Sequence, residues 1–305
     1  MNLLFPEFIH HIIIMYLQTM KNICMLAIAA MTGIQSYAVA EKQIIRISTN
    51  QTDLVLQVAP NGRLYQTYLG EKLLHETDLE QLEWNIHPAS DASVIERGWE
   101  VCSTSGNEDF FEPAWGITHS DGNPSTWLYY VSSSTKSVEG GMQTDILLRD
   151  DKYPVDVTLH YVTYPEENII KTWSEIKHEE KKPMSLFRYA STMLYFSNPS
   201  YYLTEFSGDW AKEVQMSNQQ LQFGKKIIDT KLGSRAAMHA QPFFMLGLGQ
   251  PVNENTGNVL MGPIGWTGNF RFTFEIDNVG NLRVIPSINP YASTYELAKG
   301  ETFTT

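Results

Sequence analysis

The chain has 305 residues, with 34 acidic against 22 basic side chains, a formal net charge of −12 and a pI near 5.1. No stripe of Lys and Arg runs along it, which argues against nucleic acid as a partner, because phosphate contacts need clustered cations. Two cysteines, Cys24 and Cys102, are too few for a disulfide-stapled scaffold, and the length suffices for a substantial core.

In chain order, residues 1–40 read as a leader. Met20-Lys21 precedes an apolar run from Ile23 to Met31 and then Ala38-Val39-Ala40. A basic n-region, a short apolar h-region and a small-x-small cleavage site form the pattern of a secretory signal peptide over 20–40. Cleavage after Ala40 leaves a mature chain that starts at Glu41, is exported to the periplasm or the medium, and keeps Cys102 as its one cysteine. The competing reading is a membrane anchor, but the run after Lys21 falls short of the roughly 20 apolar residues a spanning helix needs. Residues 1–19 lie upstream of a better start at Met20 and read as a mis-assigned start or an extension. Their apolar patch Ile12–Leu17 is the feature that would make the leader an uncleaved anchor.

From residue 41 onward the dominant period is two. "LVLQVAP-NG-RLYQTYLG" (54–70) predicts two strands about an Asn61-Gly62 turn. "TDLEQLEWNI" (77–86) allows a short helix capped by Thr77 or Asp78, or a loop that leads into a strand. "VDVTLHYVTYP" (155–165) and "NIIKTWSEIKHE" (168–179) alternate as half-buried strands do. In the second, Ile170, Thr172, Ser174 and Ile176 share a face. "SGDWAKE" (207–213) reads as a loop anchored by Trp210, and "GSRAAMHAQPFFML" (233–246) as a turn running into a buried strand. "FRFTFEIDNVGNLRVIPSIN" (270–289) predicts a hairpin turning at 278–281, and 293–305 a strand, a Lys299-Gly300 turn and a last strand. Many strands and few helices predict an all-β fold, a large two-sheet antiparallel β-sandwich with few short helices, as one domain over 41–305.

The densest polar and aromatic stretch is "GNEDFFEPAWGITHSDGN" (106–123), with Glu108, Asp109, Glu112, His119 and Asp121 among Phe110, Phe111 and Trp115. Rings that cover sugar C–H faces beside carboxylates that take hydroxyls make a carbohydrate site. Against this stands a plain long loop with a packed Phe-Phe pair and solvated acids, which composition alone favours. Two of these acids would hydrolyse a glycoside with retention only if held about 5–5.5 Å apart. His119, Asp121, His160 and His239 match no metal-ligand spacing, so no metal is expected, and His160 reads as a surface or satisfied histidine on its strand. No G-x-S-x-G elbow and no Gly-rich phosphate loop is present, so neither a serine triad nor a cofactor is expected.

Five segments together resemble the amino-terminal domain of glycoside hydrolase family 36, the bacterial-type α-galactosidases. "GNEDFFEPAWGITHSDGNPSTWLYYV" is similar to that family's G-N-x-D-F-R-x-P-A segment and the D-G-x-x-x-T-D-L/F-x-Y strand after it. "FSGDWAKE" is similar to its G-x-W-A-R-E, "LGSRAAMHAQPFF" to its R-G-x-S-S-H-x-x-N-P-F, and "WTGNFRFTFEID" to its Y-S-G-N-F-x-A-x-x-E-V-D. "SINPYASTYELAKGETFTT" is similar to G-I-N-P-F-D-F-x-W-x-L-x-P-G-E-x-F-x-T-P. The chain departs from the pattern at Phe111 (Arg in the family), Trp127 (Asp), Ala237-Met238 (Ser-Ser) and Gln241 (Asn).

The resemblance implies a β-supersandwich whose last strand leads into a TIM barrel carrying both catalytic carboxylates of a retaining α-galactosidase. The K-W-D nucleophile motif occurs nowhere in this sequence. The resemblance therefore implies no catalytic residue here, with the chain a truncated product, a fragment or half of a split protein. It implies Asn107 and Asp109, at the matching G-N-x-D positions, as sugar-hydroxyl contacts, with Trp115 of the same segment beside them as a third substrate-binding residue. Implied partners are an α-galactoside or other carbohydrate, a separately encoded barrel, and further copies of the chain in a homo-oligomer. Two other readings stand beside it: a free-standing carbohydrate-binding or assembly module that has lost the barrel, and an independent hydrolase using acids of 106–121. An absent barrel would also leave apolar sandwich surface exposed.

Overall fold

A strand with one buried face needs apolar residues at every second position, and the chain supplies that pattern almost continuously. The computed structural model describes residues 43–84, 98–107 and 109–305. The leader and its signal peptide, Cys24 and Glu108 lie outside the described residues.

Three strands open the described chain: β1 (Ile44–Ser48), β2 (Thr52–Val58) and β3 (Leu64–Glu71), paired in the order β1-β2-β3. The Asn61-Gly62 turn forms as expected. Gly62 takes a φ of +78°, and Asn61 Oδ1 accepts the Arg63 N–H at 3.0 Å. An α-helix, α1 (Glu76–Gln81), follows, the one α-helix among the described residues. Its cap lies two residues before Thr77 and three before Asp78, the caps the sequence suggested. His75 occupies the cap position, and Asp78, in the first turn, reaches back to accept the His75 N–H at 3.1 Å. Thr77 and Asp78 are thus inside the helix. No helix of the described residues is long and apolar enough to cross a membrane.

The remaining strands are antiparallel throughout. A short β4 (Trp115–Thr118) precedes a four-stranded meander of β5 (Leu128–Val138), β6 (Gly141–Asp150), β7 (Val155–Tyr164) and β8 (Ile169–His178). β9 (Met184–Tyr189) pairs with β4, and β10 (Leu194–Phe196) pairs with a strand far downstream. β11 (Tyr201–Asp209) and β12 (Lys212–Gln220) form a hairpin, followed by β13 (Gly224–Asp229), β14 (Ala240–Leu248) and β15 (Asn258–Pro263). β16 (Phe270–Ile276) and β17 (Leu282–Ile288) form the expected hairpin about 278–281. The last two strands, β18 (Tyr295–Leu297) and β19 (Thr302–Thr304), flank the Lys299-Gly300 turn but do not pair with each other. β18 joins β9 and β19 joins β8, so the terminal segment ties two sheets together.

Among the described residues the all-β sandwich resolves into five sheets around two apolar cores. In the first core, Val155, Val157, Leu159 and Tyr161 point inward from β7 toward Ile45, Ile47, Leu54 and Leu56 of β1 and β2. The second core is built on phenylalanine. Phe270, Phe272 and Phe274 alternate along β16, and Phe244 of β14 meets Phe272 and Phe274 edge-on at 5.1 and 4.9 Å. β17 is the wall between the cores. Leu282 and Val284 face the phenylalanines, while Ile285 joins the first core.

Trp210 corrects the expectation of an anchored loop. It sits at the tip of the β11–β12 hairpin, 87% exposed. The register Phe206↔Met216 and Met245↔Met261 also puts apolar side chains on the outer face of the β12-β11-β14-β15 sheet. Met216 and Met261 there are exposed.

Replacing Phe272 by Ala leaves a void between β16 and β14. The expected loss of stability is about 3–5 kcal/mol, read from urea unfolding. A loss below about 1 kcal/mol would mean that the phenylalanine core is not packed as described.

Candidate functional site

The segment 106–115 connects Thr104 to β4 and lies against the polar side of the β16–β17 hairpin. It begins with a glycine requirement. Gly106 has a φ of +75°, and a Cβ there would stand 2.6 Å from Ser125 Cα.

Two aspartyl-type turns then follow. Asn107 is buried. Its Oδ1 accepts the Asp109 N–H at 2.8 Å, and its Nδ2 donates to Thr104 Oγ1 at 3.2 Å. Asp109 Oδ1 accepts the Phe111 N–H at 3.0 Å, and Asp109 Oδ2 faces Arg283 Nη2 at 2.9 Å. The sequence-predicted pair Asn107 and Asp109 is therefore brought together by the hydrogen bond from the Asp109 N–H to Asn107 Oδ1. Both side chains keep lone pairs beyond those the turn uses, a carboxylate and an amide of the kind that pair with hydroxyls.

Arg283 organises the loop from below. It is buried on β17, donates Nη1 to the Glu112 carbonyl at 2.8 Å, and lies over the rings of Phe111 and Tyr195 at 5.4 and 5.1 Å. Glu112 completes the frame. Its N–H donates to Glu275 Oε2 at 2.7 Å, and its carboxylate accepts Lys225 Nζ at 2.6 Å and a hydrogen bond from Arg188 Nη1. Partial burial works against that charge, yet the hydrogen bond from Lys225 and the positive charge of Arg188 hold the Glu112 carboxyl below its ordinary range. Glu275, pushed the other way chiefly by burial, lies above it.

Asp109 and Glu112 are thus ion-paired, whereas Asp121 is exposed to solvent as composition suggested. The Phe-Phe pair is split: Phe110 stands 78% exposed while Phe111 lies under Arg283. Trp115 corrects a second expectation. It is 0% exposed in β4, edge-on to Phe303 at 6.3 Å, so its ring faces are spent on the core and offer no shelf to a sugar.

His119 and His160 make structural contacts. His119 is buried between Glu180, 2.7 Å from Nδ1, and Thr126 Oγ1, 2.9 Å from Nε2. His160 meets Asp145 at 2.6 Å and stacks on Trp173 at 4.6 Å. Among the described residues no three His, Cys, Asp or Glu side chains gather as a metal site.

Arg283, Arg188, Lys225 and Glu275 escaped the sequence reading. The alternation in "FRFTFEIDNVGNLRVIPS" carried a signal for two of them. Folding the hairpin about its turn sets Glu275 opposite Arg283, on the face away from the phenylalanines.

The sequence matches the family model described as the glycosyl hydrolase family 36 N-terminal domain over residues 62–298. The chain belongs to this family. Among curated relatives, α-galactosidase AgaA of Geobacillus stearothermophilus is 26% identical over 215 residues, which is 66% of this chain and 29% of AgaA. α-Galactosidase Mel36A of Lactobacillus acidophilus is 22% identical over 290 residues, covering 87% of this chain and 39% of the relative. Among solved structures, a variant of the Geobacillus AgaA in complex with stachyose superposes with a TM-score of 0.78 at 22% identity, covering 86% of this chain and 39% of that one. The α-galactosidase of Lactobacillus brevis gives 0.77 at 21% identity, covering 87% and 39%. The family 36 N-terminal domain thus spans well under half the length of these relatives.

Within the domain, Arg283→Met strands Asp109 and Glu275 beside an apolar side chain. The expected destabilisation is about 3–5 kcal/mol in urea unfolding.

Glu112 yields a pH prediction. Its folded value is depressed, so its contribution is complete above the unfolded value of 4.5 and is lost as pH falls through the folded one. Wild-type stability measured from about pH 5 down to about pH 3 should therefore fall more steeply than that of Glu112→Gln. Parallel profiles would contradict the assignment.

Proposed function

We propose that this chain is the β-sandwich domain of a secreted α-galactosidase-type glycoside hydrolase. In this reading it contributes the Asn107–Asp109 turn to a sugar site, while a barrel domain supplies both catalytic carboxylates. The observation that carries the reading is the family match over 62–298, together with α-galactosidase relatives of which this chain corresponds to 39% or less. Solved relatives carry stachyose and raffinose, so the ligand proposed is a terminal α-galactoside.

The chemistry of the loop supports a binding role over a catalytic one. Asp109 and Glu112 are each committed to cations rather than left for proton transfer. A carboxylate fixed by Arg283 and an amide fixed by Thr104 are preorganised to take hydroxyls, which adds binding energy while the bond is broken elsewhere. Export through the leader over 20–40 and assembly with further copies belong to the same proposal. The first is supported by the n-region, h-region and cleavage pattern, and the second by the apolar outer face that carries Met216 and Met261.

The purified full chain is expected to release no nitrophenol from p-nitrophenyl α-galactoside, and to show saturation-transfer contact with raffinose that weakens in Asp109→Asn. Turnover lost in Asp109→Asn would instead make the chain a hydrolase in its own right. No contact with raffinose would remove the turn from the sugar site.

A further inference from the structure

The β12-β11-β14-β15 sheet ends on an open strand. β12 has 9 residues, and all but Gln219 are exposed. β11 pairs with one edge of β12, and among the described residues no strand pairs with the other. The Leu221 N–H donates to the Tyr201 carbonyl at 2.9 Å, in step with the Leu203↔Gln219 and Glu205↔Ser217 partners. Main-chain groups alternate sides along an antiparallel strand. Met216, Asn218 and Gln220 therefore turn their N–H and C=O groups to the open edge.

Sheet edges are normally blunted by charge, proline or bulges, because a bare edge is a template for another strand. On other edges of this fold β13 carries Lys225, Lys226 and Asp229, β5 carries Lys136, and β15 ends on Pro263. β12 lacks these devices. From Val214 to Gly224 the chain holds no charged residue and no proline. A register shift between Ser207 and Asp209 and a φ of +49° at Val214 disturb the strand at its hairpin end, while the register of 215–220 runs unbroken.

We propose that the open edge of β12 pairs with β12 of a second copy of this chain, antiparallel about a two-fold axis at Asn218. In that register Asn218 faces the partner's Asn218 and Met216 faces the partner's Gln220, and each pair exchanges both main-chain hydrogen bonds. The three residues with open groups thus satisfy one another. Charge favours a second copy as the occupant. Chains of net charge −12 repel, so a contact between them has to be free of facing like charges, and the paired stretch 216–220 holds none in either copy. This pairing rests on the assembly with further copies proposed above. It makes that assembly a sheet continued edge to edge, with the outer face of Met216 running across both copies. Pairing along one short edge buries less than a standard interface, so the dimer is weak and concentration-dependent.

The test is sedimentation of the full chain over a concentration series, for wild type, Asn218→Pro, Asn218→Lys and Met261→Lys. Wild type is expected to form a reversible dimer. Asn218→Pro removes an outward N–H and leaves the β11 ladder intact, and Asn218→Lys sets two ammonium groups at the axis. Each should weaken the dimer about tenfold or more. Met261→Lys, on β15 at the far side of the same sheet, should dimerise as wild type does. Should Asn218→Pro fail to fold, as read by circular dichroism, Asn218→Lys against Met261→Lys decides. A dimer that withstands the Asn218 substitutions, or that Met261→Lys weakens as much, overturns the edge pairing and leaves assembly to another surface. A wild type that stays monomeric at every concentration overturns the assembly as well, and leaves the edge to a strand of another protein.

Discussion

The loop that carries the proposed sugar contacts is held by a buried cation. Arg283 sits on the wall strand between the two cores, where an unpaired charge would be prohibitive, so its partners must come to it. They do: Asp109, the Glu112 carbonyl and the Tyr195 ring converge from segments distant in sequence. The consequence runs outward. Asp109, held by Arg283, in turn donates its N–H to Asn107 Oδ1. Part of the entropy cost of ordering the proposed binding loop is thereby met in the fold.

The double-core architecture explains why such a cation is tolerated. The phenylalanine core and the first core are each apolar, but the faces where β16 and β17 look toward the first core alternate Arg271, Thr273, Glu275, Arg283 and Ser287. This polar seam is stable because the loop 106–115 supplies complementary groups along its length. A seam of this kind is costly to break at one point and adds little net stability as a whole. Its value lies in fixing where the loop goes. The terminal strands act similarly at the other side of the first core. β18 and β19 bind separate sheets, and Phe303 packs against Trp115, Tyr189 and Tyr295.

Much of the fold was legible in the sequence because it is written in short-range patterns. The period of two in 155–165, the Asn61-Gly62 dipeptide and the 278–281 turn each specify their element within a dozen residues. Local competition blurred the helix start, where His75 and Thr77 compete for the cap and Asp78 decides by reaching back. The site was less legible. That 107 and 109 belong to one turn follows from their spacing. That Glu112 is answered by Glu275 and Arg283, 163 and 171 residues away, depends on how two sheets stack, which no local pattern encodes. Trp115 and Trp210 make the same point. Trp115 was read from its neighbours as a ring beside polar groups and Trp210 as the anchor of its loop, yet tertiary packing buried the first completely and left the second at a hairpin tip.

The central claim is that Asp109 and Arg283 act as a coupled unit that holds the turn. A double-mutant cycle on Asp109→Asn and Arg283→Met, read by urea unfolding, measures this coupling directly. The account predicts an interaction energy of about 1.5 kcal/mol or more between the two sites. Additivity within about 0.5 kcal/mol would contradict it, and with it the idea that the wall between the cores shapes the loop proposed to bind sugar.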